Sequence, residues 1–341
     1  HRRSSAASDV YKRQLIDRFG RRHTSLRISV TDRCNIRCFY CMPETDVVFQ
    51  KREELLTFEE IKRVTEIACR MGVNKVRLTG GEPLVRQALP QLIEKLATID
   101  SLQEIALTTN GILLAEHAEN LKKSGLDRIN ISLDTLNETR FRQITRRDEF
   151  QRVIAGIDAA IAAKFEHIRL NALAISGITE SELIPLVRFA SDRNLEMRFI
   201  EFMPLDADQQ WQNDQVLSGR KMIEILKAEW SDLRPAPRDT PSQPASNFHV
   251  PGTSIRVGLI NSVTEPFCGQ CNRLRLTAEG KIRNCLFSTE EWDIRTFLRD
   301  GSDDETIAQQ FDVATRAKRA GHGSDNHEFV RPDRAMYQIG G

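Results

Sequence analysis

The stretch Thr57–Thr79, TFEEIKRVTEIACRMGVNKVRLT, reads as one helix, one stop and one strand. Thr57 and Glu60 fit a capping box at the helix start. Phe58, Ile61, Val64, Ala68 and Met71 form an apolar stripe at helical spacing, and Gly72 supplies the C-terminal stop. KVRLT then alternates, with Lys75, Arg77 and Thr79 on one face and Val76 and Leu78 on the other. Similar strand runs lie on both sides: Leu26–Val30, Ile105–Thr109, Arg128–Ser132, His167–Leu173 and Glu196–Glu201, with helical patterns between them. Repeated βα units of this length predict a parallel sheet with right-handed crossovers. Six units predict an α/β fold, a partial (β/α)6 TIM-type barrel rather than the full eight.

Strand parity also predicts what the barrel encloses. Arg27 and Ser29 oppose Leu26, Ile28 and Val30, while Arg169 and Asn171 oppose Ile168 and Leu170; Arg198 joins the cationic set. Helices would cover the apolar face, leaving the cationic face to line the interior. A full eight-stranded barrel fills that interior with branched apolar side chains. An arginine-lined interior instead suits an open barrel that admits a polyanion such as a triphosphate. Any one of these charges could be a solvated edge residue; recurrence on four strands argues against that reading for the set.

Composition narrows the class. The chain has 341 residues, 40% hydrophobic and 28% charged, with a formal net charge of +1. No run approaches the ~20 apolar residues that span a bilayer. Balanced charge argues against a coat for nucleic acid or acidic lipid. Of the seven cysteines, Cys34, Cys38 and Cys41 form one tight group and Cys268, Cys271 and Cys285 another, while Cys69 stands alone. Clustered triplets in an odd total suit thiolates around metal in a reducing, cytoplasmic setting rather than a disulfide framework.

The first triplet, C-x3-C-x2-C, follows the first strand at the mouth where barrel loops carry chemistry. Three thiolates can hold three irons of a [4Fe–4S] cube and leave the fourth open, whereas a structural zinc site needs a fourth ligand. The second triplet is C-x2-C-x13-C. Alone it fits a zinc knuckle with a borrowed histidine as well as a second cluster. Arg273 and Arg275 follow it with the same strand parity, and Ala278-Glu279-Gly280 reads as a hairpin turn.

The Cys34–Cys41 loop with Tyr40 before its last cysteine resembles the signature of the radical S-adenosylmethionine (SAM) superfamily. TGGEP at Thr79–Pro83 resembles that superfamily's glycine-rich motif, where adjacent glycines let a ligand approach the main chain. Five further pieces are TTNG at Thr108–Gly111, INISLDTL at Ile129–Leu136, RFIEFMP at Arg198–Pro204, CGQCNRLRLT at Cys268–Thr277 and the terminal IGG. Together, and over nearly all of the chain from Leu15 to Gly341, they are similar to the GTP 3′,8-cyclases of molybdenum cofactor biosynthesis.

The resemblance implies two [4Fe–4S] clusters, one on Cys34, Cys38 and Cys41 and one on Cys268, Cys271 and Cys285, with SAM at the first and GTP at the second. It assigns SAM contacts to Tyr40, Gly81, Ser132 and Met203. GTP contacts fall on Arg27, Arg77, Thr108, Arg169, Arg198, Arg273, Leu274 (through its backbone) and Arg275, and catalytic roles on Lys75, Arg273, Arg275, Gly340 and Gly341. Arg169 stands where the family often has lysine, so a fork replaces a point charge. Cys69 matches no motif and reads as a packed helix side chain; the histidines read as loop or surface residues. The implied route is reductive SAM cleavage to a 5′-deoxyadenosyl radical, hydrogen abstraction from C3′ of GTP and attack on C8 of guanine, giving 3′,8-cyclo-7,8-dihydro-GTP.

Residues 1–14 read as a non-native or disordered extension, although their Arg/Ser content also resembles a transit peptide. The expected division is a partial barrel over 15–230 and a region over 231–341 that carries the second cluster, closes the barrel and ends in the Gly-Gly tail. Pro235, Pro237, Pro241, Pro244 and Pro251 predict an irregular connection between the two. Expected partners are GTP, an external one-electron donor and, downstream, cyclic pyranopterin monophosphate synthase, with no nucleic acid or membrane; the chain is expected to be a monomer or homodimer. The rival readings are a peptide-modifying radical SAM enzyme with an auxiliary cluster and a zinc-binding interaction module.

Overall fold

The computed structural model describes residues 14–323 and 329–340. Gly341 and residues 1–13 of the N-terminal extension lie outside them. Six parallel strands form the centre: β1 (Ser25–Ser29), β2 (Lys75–Thr79), β3 (Glu104–Thr109), β4 (Arg128–Ser132), β5 (His167–Ala174) and β6 (Glu196–Glu201). They pair in chain order, as the repeated βα pattern requires. The helices between them are α1 (Phe58–Arg70), α2 (Leu89–Ala97), α3 (Leu114–Lys123), α4 (Glu138–Thr145), α5 (Phe150–Ala162) and α6 (Leu183–Asp192). α1 starts on the expected capping box: Thr57 Oγ1 accepts from the Glu60 amide at 3.1 Å, and the Glu60 carboxylate accepts from the Thr57 amide at 2.7 Å. Gly72, at φ +100°, turns the chain out of the helix.

The remaining helices are α7 (Gly219–Glu229), α8 (Arg295–Arg299), α9 (Asp304–Arg316) and α10 (Met336–Ile339). The later strands are β7 (Arg234–Ala236), β8 (Ser246–His249), β9 (Arg256–Ile260), β10 (Arg273–Leu276), β11 (Lys281–Arg283) and β12 (Trp292–Asp293). They do not close the barrel. The sheet stays open, in the order β12-β11-β10-β1-β2-β3-β4-β5-β6-β9-β8-β7. β9 joins β6 in parallel and β10 joins β1 in parallel, so the C-terminal region lengthens both edges instead of bridging them. Antiparallel β7 and β12, three and two residues long, end the sheet at its two edges.

The proline-rich connection is also more ordered than expected. Pro235 sits within β7, the outermost strand on its side, where no further ladder needs its missing N–H. β10 and β11 form the predicted hairpin: the Thr277 amide donates to the Lys281 carbonyl at 2.9 Å, and Gly280 has φ +86°.

The apolar face of each strand packs under the helices in one continuous core that includes Leu26, Ile28, Val76, Leu78, Leu107, Ile129, Leu170 and Phe199. Cys69 lies in that core, where burial pushes its thiol up to about 11. The opposite face carries the cations.

Candidate functional site

Register places the charged side chains in rows across the sheet. Arg275, Arg27, Arg77, Ala106 and Arg128 are direct partners on consecutive strands. One row toward the N-terminal strand ends lie Arg273, Ser25, Lys75 and Glu104. Farther round, Asn130 pairs Arg169, Arg169 pairs Glu196, and Asn171 pairs Arg198. Arg77 and Arg198 are four strands apart, about 19 Å on a flat sheet. The charge of Arg77 nevertheless acts on Arg198, so the guanidiniums of these separated strands face a common lumen.

That lumen is short of anions. Burial and neighbouring guanidiniums push Arg77 and Arg275 down to about 10 and Arg198 to about 9, and Arg27 falls well below its ordinary value. All remain protonated at neutral pH, because an arginine keeps its charge even when crowded. Glu104 pairs with Arg128 at 2.9 Å, and Glu196 accepts from both Arg169 and Arg256. No carboxylate is ion-paired to Arg27, Arg77, Arg273 or Arg275 among the described residues. Arg77 Nη1 lies 3.5 Å from Thr108 Oγ1. Leu274 is fully buried on the opposite face, so only its backbone can reach the lumen. A cavity of about 270 Å³ opens beside Arg169 and Glu196, at the N-terminal ends of β5 and β6.

The two cysteine triplets lie at opposite ends of these rows. Cys34, Cys38 and Cys41 follow the C-terminal end of β1. Cys268 and Cys271 precede the N-terminal end of β10, which runs parallel to β1; antiparallel β11 brings Cys285 back to the same end. All six thiols are free. Among the described residues no three His, Cys, Asp or Glu side chains could hold a single metal ion. One ion needs thiolates about 4 Å apart at Zn–S bonds of ~2.3 Å. A cube takes one thiolate per corner, which spreads them wider. Within each triplet the thiols act electrostatically on one another, so they face a shared space. Three soft donors around a shared space fit three corners of a [4Fe–4S] cluster in each place, leaving one iron open.

At the first triplet, buried carboxylates brace the loops. Glu82 accepts from the amides of Asn110 (2.7 Å) and Leu84 (3.0 Å) and from Thr109 Oγ1 (2.8 Å). Burial pushes its carboxyl up to about 7, although those donors favour the charged form. Asn110 in turn lies 3.9 Å from Cys34 Sγ. Asp134 accepts from Tyr40 Oη at 2.6 Å and from the Leu173 amide at 2.8 Å, which fixes the tyrosine. A Cβ on Gly81 would sit 2.4 Å from the Arg33 carbonyl oxygen, and one on Gly80 only 2.2 Å from that of Thr31. The glycines therefore admit the backbone of the cysteine loop itself. Ser132 ends β4 and Met203 follows β6, so the residues assigned to SAM gather at the C-terminal strand ends.

At the second triplet, burial raises the Cys271 thiol, but Arg273 and Lys318 outweigh it and hold it down at about 6. Arg21 Nη1 donates to the Cys268 carbonyl at 2.7 Å, while its Nε donates to Asp17 at 2.6 Å. His23, expected on a loop or surface, is 1% exposed, and its Nε2 lies 3.0 Å from the same Asp17 carboxylate. It is buried because the chain entering β1 runs beneath the second triplet. The C-terminal tail spans both ends. Tyr337 packs with Met42 next to Cys34 and Cys41, and Ile339 packs with Phe287 next to Cys285 and Met203. The Gly340 carbonyl accepts from Arg275 Nη1 at 2.6 Å.

Sequence reading missed Glu82, Asp134, Asn110, Asp17, Arg21, His23 and Lys318. The first three lie inside the motifs TGGEP, INISLDTL and TTNG, and membership of those motifs is the signal the sequence carries for them. The others have no local motif.

A family model described as Radical SAM superfamily matches residues 28–190, and one described as Molybdenum Cofactor Synthesis C matches residues 195–324. Crystal structures of Streptococcus suis SuiB share the fold: the SAM-bound form aligns with a TM-score of 0.60 at 13% identity, covering 92% of this chain and 76% of that one. Fold and first cysteine loop thus define a radical SAM enzyme. Among curated proteins, the GTP 3′,8-cyclase of Rhodopirellula baltica is 53% identical over 96% of this chain and 92% of its own length. That of Streptomyces coelicolor is 43% identical over 96% of each. The chain belongs to the GTP 3′,8-cyclase family, whose cofactors are SAM and two [4Fe–4S] clusters. Among the described residues no helix is long and apolar enough to cross a membrane.

Proposed function

We propose that this chain cyclises GTP to (8S)-3′,8-cyclo-7,8-dihydroguanosine 5′-triphosphate, the first step of molybdenum cofactor biosynthesis. The observation that carries the reading is a lumen of unpaired guanidiniums strung between two free-cysteine triplets at opposite ends of the same strands. The cluster on Cys34, Cys38 and Cys41 supplies, when bound, the electron and open iron for SAM cleavage, and that on Cys268, Cys271 and Cys285 an open iron for guanine.

The chain's own residues do the positioning. Arg27, Arg77, Arg273 and Arg275 lack carboxylate partners and would take the triphosphate, with Lys75, Thr108 and Arg198 around it. Arg169 is engaged by Glu196, so its contact to substrate would require exchange of that partner. Tyr40, held by Asp134, would sit with Gly81, Ser132 and Met203 around SAM. Gly340, closed against Ser29 and Thr79, would help exclude water from the reacting sugar; Gly341, outside the described residues, is assigned the same role by the family resemblance. The region from 231 onward is then less a separate domain than half of one site. An external one-electron donor, a downstream cyclic pyranopterin monophosphate synthase, a cytoplasmic location and a monomer or homodimer belong to the same proposal.

Anaerobic reconstitution followed by turnover with GTP, SAM and dithionite tests it. About eight irons per chain, GTP-dependent 5′-deoxyadenosine and the cyclised nucleotide are expected. SAM cleavage that ignores GTP would move the substrate elsewhere, and stoichiometric zinc without iron would sink the reading.

A further inference from the structure

One short stretch of chain ties the second cysteine triplet together. Lys318, just beyond α9, is 3% exposed. Its Nζ donates to the Arg273 carbonyl at 2.9 Å and to the Asn284 carbonyl. Arg273 stands two residues after Cys271, and Asn284 directly precedes Cys285. A single ammonium therefore joins the two segments that bring those thiols together. The next two residues extend the clamp. The carbonyls of Arg319 (2.6 Å) and Ala320 (2.8 Å) accept from the Arg21 guanidinium, which also donates to the Cys268 carbonyl. Each cysteine-bearing segment thus reaches residues 318–320, two through Lys318 and one through Arg21.

The lysine also lacks the partner that burial demands. A buried ammonium is costly unless an anion stands beside it. Among the described residues no carboxylate lies within ion-pair distance of its Nζ. The acidic groups that act on it electrostatically are the thiols of Cys271 and Cys285. A thiolate-bound iron–sulfur cluster is the kind of anion that would match it, and nearby charge is a main determinant of cluster potential.

We infer that Lys318 is a positioning residue of the second cluster site, holding the Cys271 and Cys285 segments at cluster spacing and supplying the buried positive charge the cluster requires. The inference rests on the reading that Cys268, Cys271 and Cys285 hold a [4Fe–4S] cluster. The first triplet is braced differently: its cation, Arg37, is only half-buried and donates within its own loop, to the carbonyls of Cys34 (2.7 Å) and Ile36 (2.9 Å), while the braces from other segments are the carboxylates of Glu82 and Asp134 and the amide of Asn110. The two sites should therefore respond differently to loss of this lysine.

The test uses the full-length protein reconstituted anaerobically as wild type, Lys318→Gln and Lys318→Arg, with circular dichroism melts of the apoproteins as the folding control. Iron, sulfide and an EPR-monitored redox titration are read for each. Glutamine can still donate to carbonyls but carries no charge; arginine keeps the charge. Lys318→Gln is expected to lose about half of the ~8 irons, or to keep them with the second cluster shifted to lower potential. The SAM-responsive EPR signal of the first cluster should persist, and Lys318→Arg should restore the loading or the potential. Full iron with an unshifted potential in Lys318→Gln overturns the inference, as does equal damage to both clusters in a normally folded apoprotein. A wild type that loads only about four irons removes the cluster reading, and this inference with it.

Discussion

His23 shows how much one side chain can register about its surroundings. Burial, then the charge of Lys318, pushes its imidazole down to about 4. The folded protein therefore holds it neutral while the unfolded chain protonates near its ordinary 6.5. A depressed folded value means that the stability it contributes is complete above about 6.5 and is lost as pH falls toward about 4. At 1.36 kcal/mol per unit the loss is bounded at about 3 kcal/mol. Urea unfolding of the apoprotein should thus weaken across that window, and His23→Asn should flatten the slope. An identical slope in the variant would assign the acid sensitivity elsewhere. The arginines illustrate a second residue-scale point. Their parity was legible in KVRLT and HIRLNAL because a strand alternates faces every residue. Which of them keep a free guanidinium was not legible, because Glu104 and Glu196 reach them across strands.

At the scale of elements, the strand-to-loop junctions carry the chemistry, and their fit depends on backbone passing over backbone. The Gly81 amide donates to the Thr31 carbonyl and the Glu82 amide to that of Arg33, both at 2.8 Å, so the cysteine loop lies flat on the end of β2. Gly81→Ala would drive a methyl into the Arg33 carbonyl, and neither side is a flexible side chain that could move away. An overpacking cost of about 1–3 kcal/mol is expected, visible as a lower melting temperature. Iron held by Cys34, Cys38 and Cys41 should fall as well. A variant that melts normally and loads fully would show that this loop tolerates the shift. The β10–β11 hairpin and α1 were legible because their signals are local: a turn with glycine, and a cap three residues from its partner. The edge strand through Pro235 was not, since only its position outermost in the sheet permits the proline.

For the molecule as a whole, the lumen gathers like charges that the fold must hold together without enough carboxylates. A polyanion that binds only the folded state should stabilise it by mass action, about 2.7 kcal/mol at a hundredfold excess over Kd. GTP and inorganic tripolyphosphate should both raise the melting temperature of the apoprotein, guanosine much less. Arg77→Ala should weaken the response, and added salt should shrink it because screening acts on the same charges. Equal shifts from GTP and guanosine would remove the triphosphate from the lumen.

What the sequence determined by itself was whatever repeats or clusters along the chain. The six βα units, the cationic strand face and the two cysteine triplets are all short-range patterns. Tertiary structure alone decided that the barrel stays open, with β9 and β10 claiming opposite edges, because pairing partners as far apart as Met197 and Val257, or Leu26 and Leu274, leave no local mark. It also decided that residues 17–23, 318–320 and 336–340 meet around those triplets. Those contacts run through main-chain carbonyls, buried charges and a glycine tail, and burial, which no single stretch of sequence displays, is what gives them force.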